Sequence, residues 1–408
     1  MMFKRSFAFA LSLLLLPAFA HTAAAQVAVR GETVYTMAGP PIRDGVVLIR
    51  DGKIERVGPA SQVSIPSGYR TLSAKIVTPG LIDAHTVVGL AGYLNQPHDQ
   101  DQLERSAPLQ PELRAIDGYN SRERLVEWLR GFGITTLHTG HAPASLVSGQ
   151  TMIVKTREVA TDQAVIVPAA MIAVTLGNAG LAQDGKSPGT RSKAMAMLRT
   201  ELVKAKEYEA KMASAPDDKK PERNLRLEAL ARVIKREIPM LVTAHKANDI
   251  LSALRVAREF NIRIVLDGAA EAYLVTEQIK AANVPVIIHA TMLRAAGEAE
   301  NLSFETAANL RKAGIRVAFQ SGYEGYVPKT RVVLFEAALA AANGLSIAEA
   351  LSAITIDAAR ILGIENRVGS LEPGKDGDVA LFDGDPFEYT SRAVGVIIEG
   401  EVVSQEAR

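Results

Sequence analysis

The chain has 408 residues, 22% of them charged and 5% aromatic, with a formal net charge of +1. That balance gives no indication of a nucleic-acid or anionic-membrane partner. The absence of cysteine excludes disulfides, thiolate zinc sites and cysteine nucleophiles together, while the length suffices for a barrel-sized domain beside a smaller one.

The chain opens "MMFKRSFAFALSLLLLPAFAHTAAAQ". Lys4 and Arg5 precede a short apolar stretch over residues 7–16, and small residues end in Ala23-Ala24-Ala25. This pattern predicts a secretory signal peptide over 1–25, cleaved after Ala25. The apolar stretch falls short of the roughly 20 residues a spanning helix needs. A periplasmic or secreted mature protein with no membrane span is expected.

Residues 26–75 read as β-structure. "GVVLIRDGKIERVG" is two alternating runs joined by Asp51-Gly52, a strong hairpin signal. Residues 366–408 repeat that texture in "DVALFDGDP" and "VGVIIEGEVV", around Gly384 and Gly400. The two ends are therefore expected to build one small β-sandwich-like domain.

Between them, residues 76–365 alternate apolar runs with amphipathic helices, the arrangement of parallel βα units. Seven strands are predicted, over 76–84, 134–139, 165–174, 240–243, 262–266, 284–288 and 315–319. An eighth is sought around "QTMIVK" or "VVLFEA". The fold class expected is α/β, a (β/α)₈ TIM-type barrel whose site lies at the C-terminal ends of its strands. The charged segment 191–238 reads as a pair of solvated helices making an excursion from that rhythm.

Five segments carry a resemblance: "VTPGLIDAH" (77–85), "LRAIDGYN" (113–120), "GITT…SGQTMIVKT" (133–156), "AHKANDILSALRVAREF" (244–260) and "VGSLEPGKDGDVALFDGDP" (368–386). Through them the chain resembles the amidohydrolase superfamily, in its imidazolonepropionase-like branch. The resemblance implies a barrel mouth holding one or two divalent metals. Their ligands would be a His-x-His pair after the first strand, a bridging group after the fourth, histidines after the fifth and sixth, and an aspartate after the last. Such a shell leaves one position for a water acidified to near neutrality.

Carried over residue by residue, the resemblance places His85 and His245 at ligand positions. Val87 replaces the second histidine of the pair, and Ala173, Gly268 and Gly322 stand at three further positions. "VAFQSGYEGY" offers Gln320, Ser321, Tyr323 and Glu324 near the place of the aspartate. Two groups of six remain, so no binuclear centre is expected and at most one weakly held divalent ion such as zinc.

Other imidazoles collect near strand ends: His138 and His141 in "LHTGH", and His289 in "VPVIIH". With Val87, Asp267 and Glu271 they are candidate linings of the cavity. They form either a rebuilt mononuclear site, a histidine–carboxylate acid/base pair, or the polar lining that this fold makes anyway. His98 reads as a loop residue. Ser145 and Ser148 lack a Gly-x-Ser-x-Gly elbow, and no catalytic residue is assigned.

Two functions follow. The first is an exported, noncatalytic member of the superfamily that binds a small molecule, self-associates or pairs with an active relative. The second is a hydrolase of non-peptide C–N bonds acting through a remodelled mononuclear histidine site.

Overall fold

The computed structural model describes residues 26–94, 96–182, 185–289, 295–323 and 332–407. The expected signal segment and Glu324 lie outside them.

Four strands open the chain: β1 (Val27–Val34), β2 (Ile42–Arg50), β3 (Lys53–Pro59) and β4 (Arg70–Pro79). Asp51 and Gly52, with φ of 52° and 76°, make the expected tight turn between β2 and β3. Both central residues adopt the left-handed conformation that matches the twist of a hairpin.

Ten short strands follow: β5 (Leu81–Thr86), β6 (Ile134–Thr139), β7 (Val147–Gln150), β8 (Met152–Lys155), β9 (Val165–Val167), β10 (Ile172–Thr175), β11 (Met240–Ala244), β12 (Ile264–Gly268), β13 (Val286–Ile288) and β14 (Val317–Phe319). The last three are β15 (Val379–Phe382), β16 (Ala393–Ile398) and β17 (Glu401–Ser404).

The two termini share one sheet, ordered β17-β16-β15-β4-β1-β2-β3. Its apolar core mixes Val27, Val47 and Ile49 with Val379, Leu381 and Ile397. The segment leading into β15 reaches the β2–β3 turn: the Gly377 amide donates to the Gly52 carbonyl at 2.8 Å. A Cβ on Gly52 would lie 3.0 Å from the Glu399 carbonyl oxygen, so the two hairpin tips need a glycine there.

The barrel follows the expected plan with one stave reversed. β5 pairs parallel with β6, and β10 through β14 pair parallel in order. A parallel bridge from Thr86 to Gly322 closes the ring. The third stave is the "SGQTMIVK" segment, where β7 pairs antiparallel with β10 and β8 antiparallel with β6. The connection 140–146 from β6 is far shorter than the dozen or more residues a parallel crossover requires, so the chain must return antiparallel. "VVLFEA" belongs instead to the helix Val333–Ala342.

The charged segment is also closer to the core than expected. In the helix Arg191–Ser214, residues Ala194, Leu198, Leu202 and Ala205 are buried along one face. Their spacing is that of a helix stripe laid on a core. Together with the helix Leu225–Ile234 it forms the crossover from β10 to β11. Among the described residues no helix is long and apolar enough to cross a membrane.

Barrel and sheet are joined by ions. Lys155, fully buried at the end of β8, contacts Asp376 at 3.0 Å and also pairs with Asp378. Asp376 further receives Lys53 at 2.6 Å and Arg367 at 3.0 Å.

Candidate active site at the barrel mouth

Side chains two residues apart on a strand share a face. Leu241, Val265, Ile287 and Ala318 form one buried apolar layer. The positions two further on are Thr243, Asp267, His289 and Gln320, so the polar layer at the mouth stands on that apolar floor. These four, with His245, Gly268, Ser321 and Tyr323, line a cavity of about 50 Å³. That volume admits a few waters.

Asp267, the one acid among the described lining residues, is held from three sides. Its Oδ1 meets His85 Nδ1 at 3.0 Å and accepts from Gln320 Nε2 at 2.8 Å, while Oδ2 accepts from Thr243 Oγ1 at 2.6 Å. His85 and Asp267 thus stand as a histidine–carboxylate pair, one of the three arrangements weighed from the sequence. Burial opposes charge on both partners, but their mutual attraction prevails. The His85 pKa is held above its ordinary value and that of Asp267 below it. His85 Nε2 is buried with no hydrogen-bond partner.

His138 lies beside His85, ring centroids 5.7 Å apart. Both its nitrogens are engaged, Nδ1 with the Ala84 carbonyl at 2.6 Å and Nε2 with Thr151 Oγ1 at 2.7 Å. Burial pushes its pKa down to about 3. His245 and His289 approach each other across the cavity with ring centroids 6.4 Å apart. Burial lowers the pKa of His245, with the charge of Asp267 acting against it.

Four expected lining residues are not among those that line this cavity: His138, described above, and Val87, His141 and Glu271. β5 ends at Thr86, so alternation stops before Val87. Val87 begins a turn, accepting from the amides of Leu90 and Ala91, and packs with Ala91 and Ala142 behind Tyr323. His141 is buried against Gly149, where a Cβ would lie 2.5 Å from its Cδ2. Neither of its nitrogens has a hydrogen-bond partner. Glu271 caps the helix Ala247–Phe260, accepting from the Ala247 amide at 2.8 Å, Lys246 at 3.0 Å and Asn301 at 2.7 Å. His98 is exposed, as a loop residue would be, but it stands in the short 3-10 helix Pro97–Asp99.

Asp83, on β5, latches the ring shut rather than serving the cavity. Its Oδ1 accepts from the amides of His85 at 3.3 Å and Ser321 at 3.0 Å. Burial pushes its carboxyl up to about 7 against those bonds.

Sequence reasoning missed the parts played by Thr243, Gln320 and Lys155. The one available signal was a polar residue interrupting an apolar strand, as in "MLVTAH" and "TMIVK".

The donors do not suit the metal centre that the resemblance implies. His138 is engaged at both nitrogens, His85 at Nδ1, and Asp267 at both oxygens. At the sixth-strand position, a Cβ on Gly268 would lie 2.7 Å from His245 Cε1. Among the described residues no three His, Asp or Glu side chains are grouped to hold an ion, whereas zinc sites supply at least three protein ligands.

The profile of the amidohydrolase family matches residues 89–404. The chain belongs to the amidohydrolase family. The match begins just after the His85 motif and runs through β17. Among solved amidohydrolase structures, that from Thermotoga maritima is 28% identical with a TM-score of 0.87, covering 93% of this chain and 100% of that one. An imidazolonepropionase of Sphingopyxis alaskensis is 24% identical over 88% of this chain and 92% of its own length. The amidohydrolase tasK of Hapsidospora irregularis is 23% identical over 87% of this chain, which spans only 39% of tasK. The TIM-type barrel with a sheet domain built from both termini is thus that of an amidohydrolase.

Proposed function

We propose that this protein is an exported amidohydrolase-family member that does not carry out divalent-metal hydrolysis and acts by binding a small molecule or a partner protein. The observation that carries this reading is the state of Asp267. Its oxygens are bound by His85, Gln320 and Thr243. An entering ion would have to break these bonds and would then find too few further ligands. A buried carboxylate satisfied by protein donors is stable without a metal. Export rests on the leader-like segment 1–25. Partners of this barrel would be a second copy or an active family relative.

A second reading is favoured by one feature, the unpartnered Nε2 of His85 backed by Asp267. An imidazole oriented at Nδ1 by a carboxylate is suited to move a proton at Nε2. It would serve hydrolysis of a non-peptide C–N bond without a metal, given a route for substrate to that nitrogen.

The test is a panel of cyclic amides, lactones and dipeptides, assayed with added zinc and with chelator. The first reading expects no turnover in either condition. Zinc-dependent turnover overturns it. Turnover that survives chelator and is lost in Asp267→Asn replaces it with the second reading.

A further inference from the structure

The face opposite the mouth, where the barrel strands begin, carries a groove of about 860 Å³. Six arginines line it: Arg236, Arg255, Arg258, Arg263, Arg316 and Arg360. They come from separate places in the chain. Arg236 and Arg263 precede β11 and β12, Arg255 and Arg258 share the helix Ala247–Phe260, Arg316 precedes β14, and Arg360 lies on the helix Ile356–Leu362. None of the described lining residues is acidic. In a chain of net charge +1 this is a strong local concentration of positive charge.

Internal pairing leaves most of that charge uncompensated. Arg236 donates to the carbonyl and side-chain oxygens of Asn261, and Arg263 donates to the Glu237 carbonyl; all three acceptors are neutral. Arg316 and Arg360 share the single carboxylate of Asp357, at 3.6 and 3.4 Å, with Arg311. Arg255 and Arg258 are exposed, three residues apart on one helix, a spacing at which like charges repel. The groove floor is apolar, with Leu251, Leu254 and Ile262 among its residues. Its size falls within the range of small-molecule pockets.

We propose that this groove is a binding site for a ligand bearing two or more phosphate groups. Guanidinium forks match phosphate oxygens in pairs. A compact group of charge near −2 neutralises two arginines at once, so two or three such groups would satisfy the whole cluster. The apolar floor accepts the body that carries them. Paired phosphate oxygens are presented by a soluble polyphosphorylated molecule and, as adjacent phosphodiesters of charge about −1, by the headgroups of an anionic phospholipid surface. The site is separate from the mouth and does not depend on what happens there.

The test uses inorganic triphosphate as soluble probe and phosphatidylcholine vesicles with and without phosphatidylglycerol as surface probe. Binding is measured by calorimetry and by co-sedimentation at an ionic strength of about 0.15 M, where non-specific attraction is largely screened. The variants are Arg255→Ser with Arg258→Ser, whose side chains are exposed and spare the fold, and Arg122→Ser as an exposed arginine outside the groove. Saturable triphosphate binding, weakened at least about tenfold in the double variant and unchanged in Arg122→Ser, is expected for a soluble ligand. Binding only to phosphatidylglycerol vesicles, with the same dependence, assigns the site to a lipid surface. Binding to neither probe, or binding indifferent to Arg255 and Arg258, overturns the proposal.

Discussion

Gly268 controls what can stand at the end of the sixth stave. Its φ is 76°, and His245 fills the place of a side chain there. Gly268→Ala should therefore destabilise by about 1–3 kcal/mol, combining left-handed backbone strain with displacement of the His245 ring. A urea midpoint matching the wild type would deny both the strain and the obstruction. His138 sets a second expectation. Its folded pKa of about 3 lies below the roughly 6.5 of an unfolded imidazole. Its contribution is present in full above about pH 6.5 and is lost as pH falls toward 3, by about 1.4 kcal/mol per pH unit. His141 and His245, also lowered by burial, act in the same sense. His85, raised instead, contributes fully below about 6.5 and loses its contribution only as pH rises through its folded value. Asp83, raised to about 7, acts the other way over this range, but the three lowered imidazoles outnumber it. Urea midpoints taken from about pH 7 down to about 5 should therefore fall, and less steeply by about one proton in His138→Asn. An unchanged slope would place a charged imidazole at 138. His85 and His245 were legible from their motifs, and Asp267 as a nearby acid. The bonds that Gln320 and Thr243 make to Asp267 were not, because they cross staves and depend on registers that one chain's pattern does not reveal.

At the scale of elements, alternation and turn chemistry read well wherever the chain is locally consistent. The Asp51-Gly52 hairpin and the strands β6 and β11 to β14 fall close to the expected spans, whereas the strand expected over 76–84 divides between the end of β4 and β5. The third stave was harder, since "SGQTMIVK" is apolar and short and its direction is fixed only by the length of the loop before it. That stave also carries Lys155, whose ammonium is buried between Asp376 and Asp378. Its removal would leave two buried carboxylates without their cation. Lys155→Met should cost about 3–5 kcal/mol. Lys53→Met, removing a half-exposed partner of the same Asp376, should cost about 1 kcal/mol or less. Chemical denaturation of the two variants checks the contrast, and equal losses would deny Lys155 its part in fixing barrel to sheet.

At the scale of the whole molecule, the barrel and the two-ended sheet are those of the amidohydrolase family, while the mouth is held together by protein bonds where that resemblance leads one to expect metal. The fold is legible from the five motif segments because they are backbone features: strand ends, turns and the return into the sheet. The chemistry is less legible because it depends on single side chains, and Val87, Ala173, Gly268 and Gly322 each remove one. The arginine groove was invisible to composition, since a net charge of +1 conceals a face on which six arginines gather. The most direct measurement of the mouth is its metal content. Zinc, manganese and iron are to be quantified per chain in protein purified without chelator or affinity tag, for the wild type and for His85→Ala. The internally bonded mouth predicts far less than one metal per chain in both proteins; one metal per wild-type chain, lost in His85→Ala, would contradict it.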